Sequence, residues 1–277
     1  MSKLSSLAQR LLVSLFGVPA ILILFYVLPP VALVIVLSIL CGIALYESLV
    51  ATNFLKNRRV ATLSIVFAAL APFWSFFGSQ YRWGLIGIYL YVLLLFCETI
   101  ASKNTLGLER LGGAFFLSIF IPLAMSTFIR LRNMDQWRFY IALPLIISFL
   151  SDSFAYFVGR ALGKHKLAPE LSPKKTVEGA VGGVIGATLS TILAGWVFFT
   201  FFGLPAPRYG VLALYGALGS VVSQLGDLSF SCIKREYGIK DFGNLLPGHG
   251  GVLDRFDSVI FCAPLVELLL AFLPVVG

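Results

Sequence analysis

Long apolar runs recur along the whole sequence and constrain its fold more than any other feature. A run of about 18 residues or more can cross the hydrocarbon core of a bilayer as a helix. Hydrophobic residues make up 58% of the 277-residue chain. The longest intervals between the runs, 160–178 and 233–250, are too short to form a soluble domain. We therefore predict an all-α, polytopic integral membrane protein that forms one continuous membrane domain.

The apolar runs predict about nine transmembrane helices. Their approximate ranges are 11–28, 31–50, 60–78, 84–101, 111–129, 138–159, 178–202, 210–232 and 252–275. The first run follows Lys3 and Arg10, as the apolar part of a signal peptide would. It is too long for that and lacks a clear cleavage motif of small residues, so we interpret it as a retained helix.

The basic residues predict an N-in, C-out orientation. This arrangement places most of the 21 Lys and Arg residues on the cytoplasmic side, in agreement with the positive-inside rule. The residues left on the other side are Arg82, Arg130, Arg132, Arg138 and Arg208. We therefore expect an inner (cytoplasmic) membrane protein whose two charged loops, 160–178 and 233–250, face the cytoplasm. The net charge of +8 indicates topology and contact with anionic headgroups rather than nucleic-acid binding.

The two halves of the chain differ in polar content. Residues 1–135 are mostly aliphatic or aromatic, and we interpret them as a transmembrane scaffold. Glu47 and Glu98 lie near the predicted cytoplasmic ends of their spans, where snorkelling or capping explains a carboxylate better than a functional role does. Residues 136–277 contain all the polar clusters, so we predict that the active site lies there.

Two predicted spans in the second half carry carboxylates. Asp152 lies inside an apolar run, and Ser223, Asp227 and Ser231 recur at i, i+4 and i+8, which places them on one helix face. Such a polar stripe can join helices by hydrogen bonds or form the wall of a site. A carboxylate at membrane depth is costly without a partner, so both Asp residues favour the site.

A third cluster, 172–179, combines basic residues with a predicted helix start. Pro173 is suited to the first turn of a helix, whose N–H groups and dipole attract anions. Lys174, Lys175 and Thr176 follow directly. The cluster therefore predicts an anion site, although positive-inside lysines beside a capped helix would also explain it.

The segment 231–257 concentrates charge in a protein that is only 12% charged. The segment contains Lys234, Arg235, Lys240, Asp241, His249, Asp254, Arg255 and Asp257. Asp254 and Asp257 lie at i, i+3 of a helix start and, with Asp227, could bind a hard cation through oxygen ligands. Lys240 and Arg255 could bind phosphate oxygens. His249, beside Gly250 and Gly251, could bind a ligand or stabilise the turn.

This segment resembles the signature of the phosphatidate cytidylyltransferases, also called CDP-diacylglycerol synthases. The matching positions are Ser231, Ile233, Lys234, Arg235, Lys240, Asp241, Gly243, Leu246, Pro247, His249, Gly250, Gly251, Asp254, Arg255 and Asp257. The clusters around Ser151–Asp152 and Ser172–Gly179 are similar to other features of the family, with Lys174 at a position that is often Gly in relatives. The resemblance covers about 150–260.

The resemblance implies that CTP and phosphatidate react to give CDP-diacylglycerol and pyrophosphate, with one or two Mg²⁺ ions on Asp227, Asp254 and Asp257. It also implies catalytic roles for Asp152 and Lys175. The implied substrate-binding residues are Lys174, Lys175, Thr176, Ser223, Ser231, Lys234, Arg235, Lys240, His249, Gly250, Gly251 and Arg255. The phosphate of phosphatidate is already ionised, so His249 is expected to bind rather than to act as a base. The partners are then CTP, phosphatidate and membrane lipids, and a homodimer is left open.

Two other functions are left open. The first is a CTP-dependent enzyme that acts on a polyprenyl lipid or on another phospholipid. The second, more remote, is a transporter whose buried Asp residues bind a coupling cation. The absence of a convincing internal repeat disfavours the transporter, and a transporter would leave the Lys-Arg-His-Gly loop unexplained.

Overall fold

Helices dominate the protein, as a computed structural model of the chain shows. The structure describes residues 15, 17, 19–54, 57–77, 81–102, 107–245 and 250–276. Its first regular element is a π-helical stretch, Ile23–Val27. The α-helices that follow are α1 (Pro30–Ala51), α2 (Arg58–Phe76), α3 (Tyr81–Ala101), α4 (Leu108–Met125), α5 (Thr127–Arg132), α6 (Trp137–Tyr140), α7 (Leu143–Leu162), α8 (Val177–Phe202), α9 (Tyr209–Glu236) and α10 (Leu253–Phe272).

Seven segments of the described chain are helical, long and apolar enough to cross a membrane. They are Pro30–Ala51, Arg58–Phe76, Trp83–Ala101, Leu108–Arg132, Trp137–Leu162, Val177–Phe202 and Tyr209–Glu236. These segments confirm the all-α, polytopic membrane class. Most of the predicted span 11–28 lies outside the described residues, and α10 corresponds to the predicted span 252–275 but carries several charges. The total of nine spans and the N-in, C-out orientation therefore stay predictions.

The predicted helix start at Pro173 is wrong. Pro173 lies in strand β2 (Ser172–Thr176), which pairs antiparallel with β1 (Lys166–Ala168). The next helix, α8, begins at Val177, with Thr176 as its N-cap. The Thr176 hydroxyl accepts the Gly179 N–H at 3.1 Å, which is the usual way for a Thr cap to satisfy a free helical donor. A Thr cap at the end of an extended run therefore fixes the helix start more strongly than the proline does.

The chain divides into two compact units. The first comprises Met1–Arg130 and Asp241–Arg255, and the second comprises Leu131–Lys240 and Phe256–Gly277. The scaffold role predicted for residues 1–135 and the catalytic role predicted for 136–277 stay predictions. The charged segment 231–257 contributes to both units.

In the first unit, α2 packs against α1, α3 and α4. A small polar centre joins three of these helices: the Tyr91 hydroxyl on α3 lies 2.7 Å from Ser64 Oγ on α2 and 2.8 Å from Ser118 Oγ on α4. Hydrogen bonding of this kind satisfies a buried phenol and links helices in apolar surroundings.

In the second unit, α8 packs closely against α7 and α9. Glycines on α8 permit the approach: a Cβ at Gly183 would lie 2.9 Å from the Ser151 carbonyl oxygen, and one at Gly179 would lie 2.7 Å from the Ala155 carbonyl oxygen. Small residues allow transmembrane helices to approach in this way. An apolar core further along the unit includes Leu143, Leu212, Tyr215 and Val266. The close α7–α8 contact places the polar residues of both helices beside the β-hairpin.

Candidate active site

A cavity of about 300 Å³ opens in the second unit, between α7, α8, α9 and the β-hairpin. Its lining contains Asp152, Tyr156, Arg160, Lys174, Lys175, Thr176, Gln224 and Asp227 among smaller residues. The volume is at the lower end of the range typical of small-molecule sites. Three of the four polar clusters predicted from the sequence therefore meet at one cavity.

Lys175 and Asp227 form an ion pair in the lining of the cavity. Lys175 Nζ lies 2.5 Å from Asp227 Oδ2, and about a quarter of each side chain remains exposed. The Ser231 hydroxyl lies one helical turn further along α9 and donates to Asp227 Oδ1 at 3.4 Å. Asp227 and Ser231 therefore lie on one face of α9, as predicted. Ser223, the third member of that face, is fully buried and does not line the cavity.

A second group of carboxylates is organised by Ser258 on α10. The Ser258 hydroxyl donates to Asp152 Oδ2 at 3.3 Å and lies 3.4 Å from Asp257 Oδ1, which also accepts the Ser258 backbone N–H at 2.8 Å. Asp257 is buried and lies 3.8 Å from Lys234 Nζ. A single hydroxyl thus connects two carboxylates that are far apart in the sequence.

Gln224 fixes the wall of the cavity. Its amide Nε2 donates to the Ala180 carbonyl oxygen at 3.1 Å and to Ser220 Oγ at 3.2 Å, which ties α9 to α8. Ser220 Oγ in turn lies 2.7 Å from Ser151 Oγ on α7. Buried polar groups satisfied in this way define a unique packing, so this network holds Asp152 and Asp227 on adjoining walls.

The N-terminus of α8 is less available to an anion than the sequence predicts. The Val177 N–H donates to the His165 carbonyl oxygen at 2.9 Å, and the Gly179 N–H donates to Thr176. Glu178 accepts the backbone N–H groups of Lys164 and His165 and lies 2.6 Å from His165 Nδ1. These contacts stabilise the hairpin. The positive charge at the cavity therefore comes mainly from Lys174, Lys175 and Arg160.

The other predicted basic residues lie outside the cavity lining. Arg235 is exposed and donates to the carbonyl oxygens of Leu171 and Ile239 at 3.2 and 3.1 Å, which anchors the hairpin turn to the end of α9. Lys240 is also exposed. Their predicted phosphate-binding roles stay predictions.

Asp254 belongs to the first unit, where it organises the segment Asp241–Arg255. Asp254 Oδ2 accepts the backbone N–H groups of Phe242 at 2.8 Å and Gly251 at 3.0 Å. Gly250, which precedes this contact, has φ +82°, in the left-handed region that glycine tolerates best. Arg255 is exposed, and His249 lies outside the described residues. The metal-binding role predicted for Asp254 stays a prediction.

Three residues of these networks have no role in the prediction from the sequence. Arg160 and Gln224 line the cavity, and Ser258 holds two carboxylates. The sequence assigns Glu47 to snorkelling or capping. Its side chain is buried, which excludes snorkelling, and it accepts the N–H of Leu253 at 3.2 Å, which is a capping contact at the start of α10. The cost of a carboxylate within an apolar helix, which favoured Asp152, applied equally to Glu47.

Comparison with known proteins agrees with this picture. Residues 8–273 match the profile of the Cytidylyltransferase family. A phosphatidate cytidylyltransferase of Bacillus subtilis is 46% identical over 181 residues, which is 65% of this chain and 65% of that protein. Proteins of the same name from Staphylococcus haemolyticus and Staphylococcus saprophyticus are 38% and 37% identical, each over 64% of this chain and 65% of the relative. The chain thus spans just under two thirds of the length of these curated relatives. Because the family profile covers nearly the whole sequence, the chain belongs to the Cytidylyltransferase family.

Proposed function

We propose that this protein transfers CMP from CTP to phosphatidate and releases pyrophosphate. The observation that carries the proposal is the cavity of the second unit, where the Lys175–Asp227 pair lies with Asp152 and Arg160. Family membership and the names of the relatives support the same reaction. A cavity lined by both cations and carboxylates suits a substrate that carries several phosphates and a metal ion.

The reaction requires one bond to form and one to break. An oxygen of the phosphatidate phosphate attacks the α-phosphorus of CTP. The bond from that phosphorus to the oxygen bridging to the β-phosphate breaks, and pyrophosphate leaves with the bonding electrons. The attacking phosphate is already ionised, so the protein need not remove a proton. Its task is to hold two anions in line and to stabilise negative charge.

Lys174, Lys175 and Arg160 supply the positive charge for this task. Lys175 already contacts Asp227 and can exchange that partner for a phosphate oxygen without leaving the cavity. Lys174 and Arg160 are exposed cavity residues that a triphosphate can reach. Cations directed at the charge that develops on the phosphoryl oxygens stabilise the transition state.

Mg²⁺ fits the carboxylates of this unit. Asp152 and Asp227 line the cavity, and Asp257 joins Asp152 through Ser258. Over the described residues, no three His, Cys, Asp or Glu side chains form a ready-made metal site. Magnesium is commonly held by one or two carboxylates together with substrate phosphates and water, so we propose that Asp227, with Asp257 or Asp152, binds it with the nucleotide. When bound, Mg²⁺ neutralises phosphate charge and polarises phosphoryl oxygens.

The reaction must take place at the membrane surface. Removing phosphatidate from the bilayer would cost about 0.8 kcal/mol for each buried CH₂ group, and CTP cannot enter the bilayer. The two substrates therefore meet at headgroup depth. The excess of basic residues in 160–178 and 233–250 supports a cytoplasmic position for the site, where CTP is available.

An assay of the purified protein tests this proposal. The protein in detergent, given phosphatidate, Mg²⁺ and α-labelled CTP, should form a labelled lipid and release pyrophosphate. Polyprenyl phosphate in place of phosphatidate tests the related lipid substrate, and Asp227→Asn is the matched inactive control. If a labelled product forms with polyprenyl phosphate but not with phosphatidate, the acceptor lipid is a polyprenyl phosphate and the proposed lipid substrate is wrong. CTP binding without a labelled product from any phosphate-headed lipid would overturn the transferase.

A further inference from the structure

Glu47 is the one carboxylate on α1 and lies against the segment Asp241–Arg255 within the first unit. Only 6% of the residue is exposed. Its Oε2 accepts the backbone N–H of Leu253, 206 positions later in the sequence, at 3.2 Å. A snorkelling carboxylate would reach solvent, whereas Glu47 is buried and contacts a segment that is distant in the sequence. Snorkelling therefore does not explain it.

The contact has the character of a helix cap supplied from another helix. Leu253 is the first residue of α10, and the first N–H groups of a helix lack intrahelical partners. A negative charge at this end also interacts favourably with the helix dipole. Glu47 thereby fixes where α10 begins, immediately before Asp254 and Arg255.

Two glycines of the segment lie so close to the Glu47 carboxylate that no larger residue would fit there. A Cβ added at Gly243 or at Gly251 would overlap its carboxylate atoms. Asp254 acts from within the segment, where it accepts the N–H groups of Phe242 and Gly251. Two buried carboxylates thus hold three backbone N–H groups and leave little freedom to the backbone around Gly250–Gly251.

We propose that Glu47 is a positioning residue for the phosphate-binding segment around Gly250, Gly251 and Arg255. The proposal rests on the proposed function, because the segment resembles part of the cytidylyltransferase signature. Glu47 does not touch the substrate in this role. It sets the backbone of Gly251 and the start of α10, and a displacement of about 1 Å can reduce a rate by roughly a hundredfold.

Hydrogen exchange and kinetics together test the proposal. Glu47→Ala removes the acceptor, Glu47→Gln keeps a neutral acceptor, and Ser48→Ala is the matched control, since Ser48 Oγ only donates to Leu45 within α1. We expect Glu47→Ala to speed amide exchange of the peptide 241–255 by at least about tenfold, because a buried acceptor is lost. Exchange of the hairpin 166–176 in the second unit should not change.

In the transferase assay, Glu47→Ala should lower kcat by at least about tenfold and leave the KM for CTP within about threefold, the pattern of a lost transition-state alignment. Glu47→Gln should fall between wild type and Glu47→Ala in both measurements. Unchanged exchange of 241–255, or equal effects of Glu47→Ala and Ser48→Ala, would overturn the positioning role. If the wild type forms no labelled lipid, the proposed function fails, and the exchange measurement still decides whether Glu47 orders the segment.

Discussion

Lys175 Nζ lies 2.5 Å from Asp227 Oδ2, and this contact between two residues that line the cavity joins the β-hairpin to α9. Neighbouring Lys174 also lines the cavity but is exposed. We expect Lys175→Ala to lower kcat/KM at least about tenfold more than Lys174→Ala, which corresponds to about 1.4 kcal/mol of transition-state stabilisation. Steady-state assays of both variants measure this difference, with the exposed hairpin residue Lys166 changed to Ala as control. Equal, small losses of kcat/KM for all three variants would mean that these lysines serve only the orientation of the protein in the membrane.

Asp227→Asn should abolish nearly all activity while the protein still inserts and folds. Asn keeps the shape of the side chain but removes the charge that a hard cation requires. We expect at least a hundredfold loss, which is about 2.7 kcal/mol, and a higher Mg²⁺ concentration for half-maximal rate. Ser229→Ala on the same helix is the control, because Ser229 is exposed and its hydroxyl bonds only to the Leu225 carbonyl oxygen. A loss below about tenfold, with unchanged Mg²⁺ dependence, would argue against metal binding by Asp227.

The sequence predicted the spans well because membrane helices must be long and apolar. The predicted ranges 31–50, 178–202 and 210–232 each agree with α1, α8 and α9 to within a few residues. Asp152 and Asp227, which line the cavity, were predicted from the cost of a carboxylate at membrane depth. The hairpin was missed because Pro173 is compatible with both a helix start and an edge strand.

The contacts of Glu47 and Ser258 could not be predicted from the sequence. Glu47 is 206 positions from Leu253, and Ser258 is 106 positions from Asp152. Periodicity shows which face a residue occupies but not which distant element covers that face. From its position near the end of a predicted span, Glu47 was therefore assigned to snorkelling or capping, and its contact with the segment 241–255 was not predicted.

Ser258→Ala should reduce activity moderately and leave the helices in place. The variant removes the hydroxyl that links Asp152 to Asp257, while the Ser258 N–H contact with Asp257 remains. We expect kcat to fall by about three- to tenfold, consistent with about 1 kcal/mol for one hydrogen bond. Ser258→Thr, which keeps the hydroxyl, should retain more activity than Ser258→Ala in the same assay. Wild-type kcat in Ser258→Ala would show that the link has no role in catalysis.

Gly183→Ala should destabilise the second unit, because a Cβ there would lie 2.9 Å from the Ser151 carbonyl oxygen and 2.9 Å from Gln224 Nε2. Helices α7 and α8 would have to separate, at a cost of about 1–3 kcal/mol for overpacking. Gly210→Ala is the matched control, since a Cβ at that position of α9 would have no atom within 4 Å apart from its chain neighbours and the backbone of its own helix. Thermal unfolding in detergent should show a lower midpoint for Gly183→Ala only. Equal midpoints for both variants would mean that the α7–α8 contact adapts easily.

The predicted orientation places Lys174 in the cytoplasm and Arg138 on the opposite side of the membrane. Both residues are exposed, so a cysteine at either position can react with a membrane-impermeant maleimide. The exposed thiols of Cys97 and Cys232 must first be replaced. In that background, Lys174→Cys should react in inside-out vesicles and Arg138→Cys in right-side-out vesicles, because Lys and Arg are retained preferentially on the cytoplasmic side. The reverse pattern would place the Lys175–Asp227 cavity on the side of the membrane away from cytoplasmic CTP, and would be incompatible with the proposed reaction.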